Sequence, residues 1–261
     1  MFERLGGQLV NTVSFGSGET TLLGVGGWIG NWELWQQPFE LLSDRYRTVA
    51  YDHFGAGETV VAPEFWTFDA QVEAVFGLLD LLELDRCVLM GESNGGTVAM
   101  AAALRAPERF SGLVLVDAPH ANFDQPRIRA FIEALRRDFP ATIRAFVELC
   151  TPEPEVDHIR RWARNILLKA DPEAAVSLLE TMYPLDLRPS LPEIALPTLV
   201  IHGALDALPA TGLEVAEETA RLIPNARLQV VAGAGHVPTL TFPEQVAEAI
   251  DAFVIETIRY Q

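Results

Sequence analysis

The chain has 261 residues, 49% of them apolar, with 19 Lys and Arg against 36 Asp and Glu and a formal net charge of −17. That length and apolar share exclude a disordered chain and fit one large α/β domain, or a domain with an insertion, around a substantial core. So acidic a surface repels phosphate backbones and anionic lipids, which speaks against nucleic acid or a membrane surface as partner.

In chain order, apolar, β-branched runs at 8–13, 21–25, 48–51, 86–90, 112–117, 198–202 and 227–231 predict strands. Most of the later ones are near-continuous apolar runs, as expected of parallel strands buried on both faces. Helical patterns occupy 35–43, 68–82, 93–105, 213–223 and 243–258. In the 68–82 segment Val72, Val75, Phe76, Leu79 and Leu82 keep a 3-4 spacing and form an apolar face. The alternation predicts an α/β fold, a mostly parallel sheet with helices on both faces.

One stretch interrupts it. From 122 to 196 there is no convincing strand, only helical segments at 127–138, 142–149, 156–170 and 172–183. Thr151-Pro-Glu-Pro-Glu155 and Asp171-Pro172 separate them, and Pro184 and Pro189 mark the exit. The expectation is a helical cap, 122–196, inserted into a core domain formed by 1–121 and 197–261. No run approaches the roughly 20 apolar residues of a membrane span. The N-terminus lacks a basic segment followed by an apolar run, so no secretory signal is expected. Cys87 falls in a predicted core strand and Cys150 in a distant segment; two buried thiols fit a reducing cytoplasm better than a disulfide does.

The chemistry centres on Gly91-Glu92-Ser93-Asn94-Gly95, a G-x-S-x-G between a predicted strand and a predicted helix. A sharp turn there lifts a serine hydroxyl over the sheet edge, and the glycines allow strand and helix to approach closely. A serine nucleophile needs a base, and the base needs an orienting acid. His236 follows the last predicted strand on a loop of small residues, and Asp206 follows the 198–202 strand on a loop opened by Gly203. Three turns at the carboxyl ends of strands can converge at one sheet edge.

With these segments in the order Ser93, Asp206, His236, the chain resembles an α/β-hydrolase over nearly its whole length. Asp52-His-Phe-Gly55-Ala-Gly57-Glu-Thr59 resembles the D-x-x-G-x-G-x-[ST] turn of that family, Pro197-Thr-Leu-Val-Ile-His-Gly its approach to the acid, and Phe242-Pro-Glu-Gln-Val the start of its final helix. The resemblance implies a serine hydrolase with Ser93 as nucleophile, His236 as base and Asp206 as acid. It also implies that no cofactor is needed and that the partner is a small-molecule ester or lactone. Asp117, at the end of the 112–117 strand, is the alternative acid. The oxyanion hole would combine the N–H of Asn94 with that of Gly27. The family usually carries His-Gly at the start of the latter's loop; here Val25 stands in place of the histidine.

Other residues carry softer expectations. Trp28 and Trp32 follow the oxyanion loop and could wall the acyl pocket. His120 and His53 flank strand ends and could touch substrate, while Phe131, Leu135, Phe146, Trp162, Leu167 and Met182 could pave the roof. That suggests a small apolar or aromatic substrate. Glu92 reads as a structural acid beside the nucleophile, His202 as a buried strand-end residue and His158 as a cap-surface residue. No Cys/His/Asp cluster has metal-ligand spacing, and no loop matches a nucleotide site. Within the family, carbon–carbon-bond hydrolases and haloperoxidase-type enzymes use the same triad, and some signal receptors keep the fold with slow turnover. Enzymes with an Asp nucleophile are disfavoured, because residue 93 is Ser.

Overall fold

The computed structural model describes residues 1–121 and 125–259. The first three expected residues of the cap, 122–124, therefore lie outside the described residues, as do the last two of the core domain. Eight strands form one sheet: β1 (Phe2–Leu5), β2 (Gln8–Phe15), β3 (Thr21–Val25), β4 (Arg47–Tyr51), β5 (Cys87–Glu92), β6 (Phe110–Val116), β7 (Thr198–Gly203) and β8 (Ala226–Val231). Their order is β1-β2-β4-β3-β5-β6-β7-β8, with β2 antiparallel to both its neighbours and every other pairing parallel. The short β1 at the sheet edge was not expected from the sequence; four residues of alternating exposure carry too little apolar pattern to read as a strand.

The period-2 alternation of the inner strands divides the core. Leu23, Leu89, Leu113 and Val200 face one layer, packed by α2 (Phe68–Leu81), α3 (Asn94–Arg105) and α8 (Leu213–Leu222). Leu22, Val88, Val114 and Leu199 face the other, packed by α1 (Gln36–Leu42) and α10 (Pro243–Arg259), the latter following the short α9 (Pro238–Thr241). Both faces of the strands are thus covered, which is why the sequence runs there are apolar rather than alternating. Among the described residues no helix is long and apolar enough to cross a membrane.

Between β6 and β7 stand α4 (Gln125–Arg137), α5 (Phe139–Cys150), α6 (Asp157–Leu167) and α7 (Pro172–Met182). Asp138 and Asp171 cap α5 and α7 by accepting from first-turn N–H groups, and a proline in the first turn of each fits where no donor is needed. The apolar faces of these helices form their own cluster with Trp28, Ile29 and Leu34 of the loop after β3. Polar contacts fix the insert to the core. Trp28 Nε1–H donates to Ala175 O (2.8 Å), and Glu33 accepts from Trp162 Nε1–H (2.7 Å) and from Lys169 Nζ (2.8 Å). Asp52 of the D-x-x-G-x-G turn works inside the core, accepting from Asn11, the Trp32 N–H and the Glu58 N–H.

Candidate active site

The register explains where the loops leave the sheet. Val25 pairs with Gly91, Glu92 with Val116, and Val116 with Ile201. The turns after β3, β5, β6 and β7 therefore emerge at one edge. Ser93 sits in the turn between β5 and α3 at φ 50°, ψ −127°, a sparsely populated backbone conformation that costs about 1–3 kcal/mol and persists where its surroundings enforce it. Its N–H is held by Val116 O at 2.8 Å. The glycines flanking it are spatial necessities: a side chain at Gly95 would strike the carbonyls of Val25 and Gly26, and one at Gly91 would strike Gly95.

Ser93 Oγ lies 2.8 Å from His236 Nε2, and His236 Nδ1 lies 2.7 Å from Asp206 Oδ2. Asp206 is itself oriented by the Leu208 N–H at 2.9 Å and by the Thr211 hydroxyl at 2.7 Å. The fold thus brings Ser93, His236 and Asp206 into one hydrogen-bonded row. Asp117 is close but engaged elsewhere. Its Oδ1 accepts from the Gly203 N–H at 2.9 Å and stands 2.9 Å from His202 Nδ1, while its Oδ2 is buried without a hydrogen bond. Ligand-type atoms of Asp117, Asp206 and His236 all lie within 4.8 Å of one another, a grouping that no linear spacing announces.

The electrostatics follow from this crowding. Burial opposes protonation of His236, but the Asp206 charge and hydrogen bond, with Asp117 and Glu92 behind them, prevail and raise it to about 9. On Asp206, burial acts upward, yet the His236 charge and hydrogen bond hold the carboxyl below its ordinary value. Glu92 is pushed up to about 7, chiefly by burial; the His236 charge and the Gly27 N–H pull it down only in part. Gly27 thus directs its N–H at the Glu92 carboxyl, immediately beside Ser93. Glu92 bears out its reading as a buried acid, with only 2% of its surface exposed.

Two cavities meet at Ser93. An inner one of about 40 Å³ is lined by Gly27, Glu92, Cys150, Ala163, Leu167 and His236, among others. An outer, more open cleft of about 510 Å³ is lined by Asn94, Ile128, Phe131, Leu149, Leu179 and Pro209, among others. Trp28 and Phe146 border both, their rings edge-to-face with centroids 5.8 Å apart, and Phe131 packs 5.4 Å from each.

Several expected pocket residues point elsewhere. Trp32 packs beside Phe15, at 6.2 Å between centroids, on the outer layer of the sheet. His120 is fully buried but turned toward α8, with Nδ1 2.9 Å from Thr219 Oγ1 and Nε2 3.2 Å from Glu218. Trp162 spends its indole N–H on Glu33. Met182 lies in the main core with Phe68 and Leu191, and Leu135 in the interior of the insert. His53 is buried, stacked on Tyr51 at 5.8 Å, and desolvation lowers it to about 4 despite the carbonyls of Trp28 and Gly26. Apolar faces of the insert helices do not tell a cleft side from a core side, which misleads for Leu135, Trp162 and Met182; nearness to a loop or strand end does not fix where a side chain points, which misleads for Trp32, His120 and His53. Trp28, Phe131, Phe146 and Leu167 do line the cavities. His202 is buried and His158 exposed, as expected. Sequence reading missed Thr211, whose hydroxyl needs the folded Asp206 loop to become visible, and Glu153, considered below.

A fold of this topology with a serine at the turn after its central strand defines a hydrolase-type α/β protein. The sequence profile of the alpha/beta hydrolase fold matches residues 20–185, and the chain belongs to that family. It is 30% identical over 239 residues to a pimeloyl-[acyl-carrier protein] methyl ester esterase of Nitrosomonas europaea, covering 87% of this chain and 92% of the relative. It is 26% identical over 253 residues to a strigolactone esterase of Pisum sativum, covering 90% and 93%. A thermophilic esterase from Thermogutta terrifontis superimposes with a TM-score of 0.88 at 28% identity, covering 98% of both chains.

Proposed function

We propose that this protein is a serine hydrolase cleaving a carboxylic ester or lactone of a small apolar or aromatic substrate. The observation that carries the reading is the unbroken hydrogen-bonded row from Ser93 Oγ through His236 to Asp206 at the meeting point of two apolar cavities. Esterase relatives support the reaction class.

In this reading Ser93 Oγ attacks the carbonyl carbon while His236 Nε2 takes its proton, and Asp206 stabilises the imidazolium. The Asn94 N–H receives the oxyanion, worth roughly 3–4 kcal/mol to the transition state, and the Gly27 N–H joins it only by leaving the Glu92 carboxyl. Collapse breaks the bond to the leaving oxygen, which takes the proton from His236. Water then attacks the acyl-serine, gives its proton to His236, and the Ser93 oxygen leaves and is reprotonated. Residues 122–196 act as a cap that roofs the cleft, and residues 1–121 with 197–261 act as the catalytic core. Free, buried Cys87 and Cys150 are consistent with a reducing, cytoplasmic setting.

The test is Ser93→Ala assayed on p-nitrophenyl butyrate. A loss of roughly 10⁴–10⁶ in kcat, with an unchanged circular dichroism spectrum, is expected for a serine nucleophile. A folded variant with near wild-type turnover would exclude the serine mechanism. A panel of p-nitrophenyl esters, lactones and diketone ring-cleavage products, with mass spectrometry of the trapped acyl-enzyme, then assigns the substrate class. Ordinary turnover on the first of these separates an enzyme from a slow-turnover receptor.

A further inference from the structure

The loop that carries His236 is gripped from two sides. On the core side, the Leu205 N–H donates to Ala234 O at 2.7 Å. On the other side the partner is the helical insert, through the last residue of α5 and the connector from α5 to α6. The His236 backbone N–H donates to Cys150 O at 2.8 Å, and the Gly235 N–H donates to Glu153 Oε1 at 2.7 Å. The loops are in contact along their length: a side chain at Gly235 would collide with Pro152 and come within 2.6 Å of Cys150 O.

Glu153 is an unusual residue for this place. It is 3% exposed, and its Oε2 is buried without a hydrogen-bond partner. Burying a carboxyl group is costly unless it is bonded, and the side-chain bond Glu153 makes here is to the residue before His236. The connector is in turn fixed by Arg160 of α6, whose Nη2 donates to Thr151 O at 2.7 Å and to Glu153 O at 2.9 Å.

We propose that Glu153 is a positioning residue for His236, clamping the histidine loop through the Gly235 N–H and tying the placement of the base to the docking of the insert. The proposal rests on the reading of His236 as general base. The imidazole must reach both Ser93 and Asp206, so a small shift of its backbone breaks the row at one end or the other; misplacement by 1 Å can cost on the order of 10²-fold in rate.

The experiment compares Glu153→Ala and Glu153→Gln in the full chain, on p-nitrophenyl butyrate and by the rate at which diisopropyl fluorophosphate labels Ser93. Glu153→Ala is expected to lower kcat by about 10- to 100-fold with KM within about 3-fold, and to slow labelling in parallel. Glu153→Gln keeps an acceptor oxygen and is expected to recover most of that loss. A folded Glu153→Ala with wild-type kcat, or alanine and glutamine variants equally impaired, would overturn the clamp. Should Glu153→Ala fail to fold, Arg160→Ala loosens the connector while leaving the carboxyl in place. It is expected to lower kcat by about 3- to 10-fold at constant KM, and an unchanged kcat overturns the clamp. Activity lost in Ser93→Ala but kept in Glu153→Ala overturns the clamp alone; activity kept in Ser93→Ala overturns the reading of the site and the clamp with it.

Discussion

His236 occupies an environment in which burial and charge oppose one another, and charge prevails. Its raised value, about 9, sets a direction for the pH profile: the protonated imidazole cannot accept the Ser93 proton, so kcat/KM is expected to fall as pH drops through about 9. The same shift favours the protonated imidazole in the fold. Its contribution to stability is full below about pH 6.5 and is lost as pH rises through about 9. Asp206→Asn removes the strongest upward influence on the imidazole, so the inflection should move toward acid while kcat falls by roughly 10⁴-fold. Asp117→Asn should move it less and cost less, because Asp117 bonds Gly203 and not His236. A larger kcat loss in Asp117→Asn than in Asp206→Asn, measured side by side, would reverse the assignment of the acid. Ser93, Asp206 and His236 were legible in the sequence because each stands at a fixed offset from a strand end. Asp117, at a neighbouring strand end, was legible as their rival; Thr211 and Glu153 were not, since they depend on loops that meet only after folding.

At the scale of elements, the strands and helices of the core, apart from the short β1 and α9, were readable within a few residues. Burial on both sheet faces leaves long apolar runs, and the helices between them are bounded by caps and prolines. What could not be read was which face of each insert helix meets the cleft. Trp162 shows why: its ring lies near the core like a pocket aromatic, yet its N–H is committed to Glu33, which also binds Lys169. Glu33 is half-buried, and burial works to raise it, but the bonds from Lys169, Trp162 and Asn31 bring it below the ordinary carboxylate value. Glu33→Ala leaves the Trp162 donor unpaired and should cost about 1–3 kcal/mol. Urea unfolding measures that loss. Faster amide exchange in α6 than in α2 would localise it to the insert, and uniform exchange would show that Glu33 does not serve as its anchor.

For the whole molecule, the net charge of −17 acts on anything that approaches. The carboxyl groups around His236 add to that field at the site itself. Exposed charges are screened beyond about 10 Å at 0.1 M salt. Adding salt should therefore raise kcat/KM for an anionic ester, such as a p-nitrophenyl monoester of a dicarboxylic acid, and leave p-nitrophenyl butyrate nearly unchanged. Equal responses of the two esters would show that the field does not reach the cleft.

The hydrogen bonds from Gly235 and His236 to the end of α5 and the connector after it bear on how such a protein can be re-engineered. Replacing the insert to change what fits the cleft would also remove the acceptors that hold the base. A chimera that exchanges helices should therefore treat residues 150–153 as belonging to the core, cutting on their far sides, so that a new roof can be fitted without unseating the machinery beneath it.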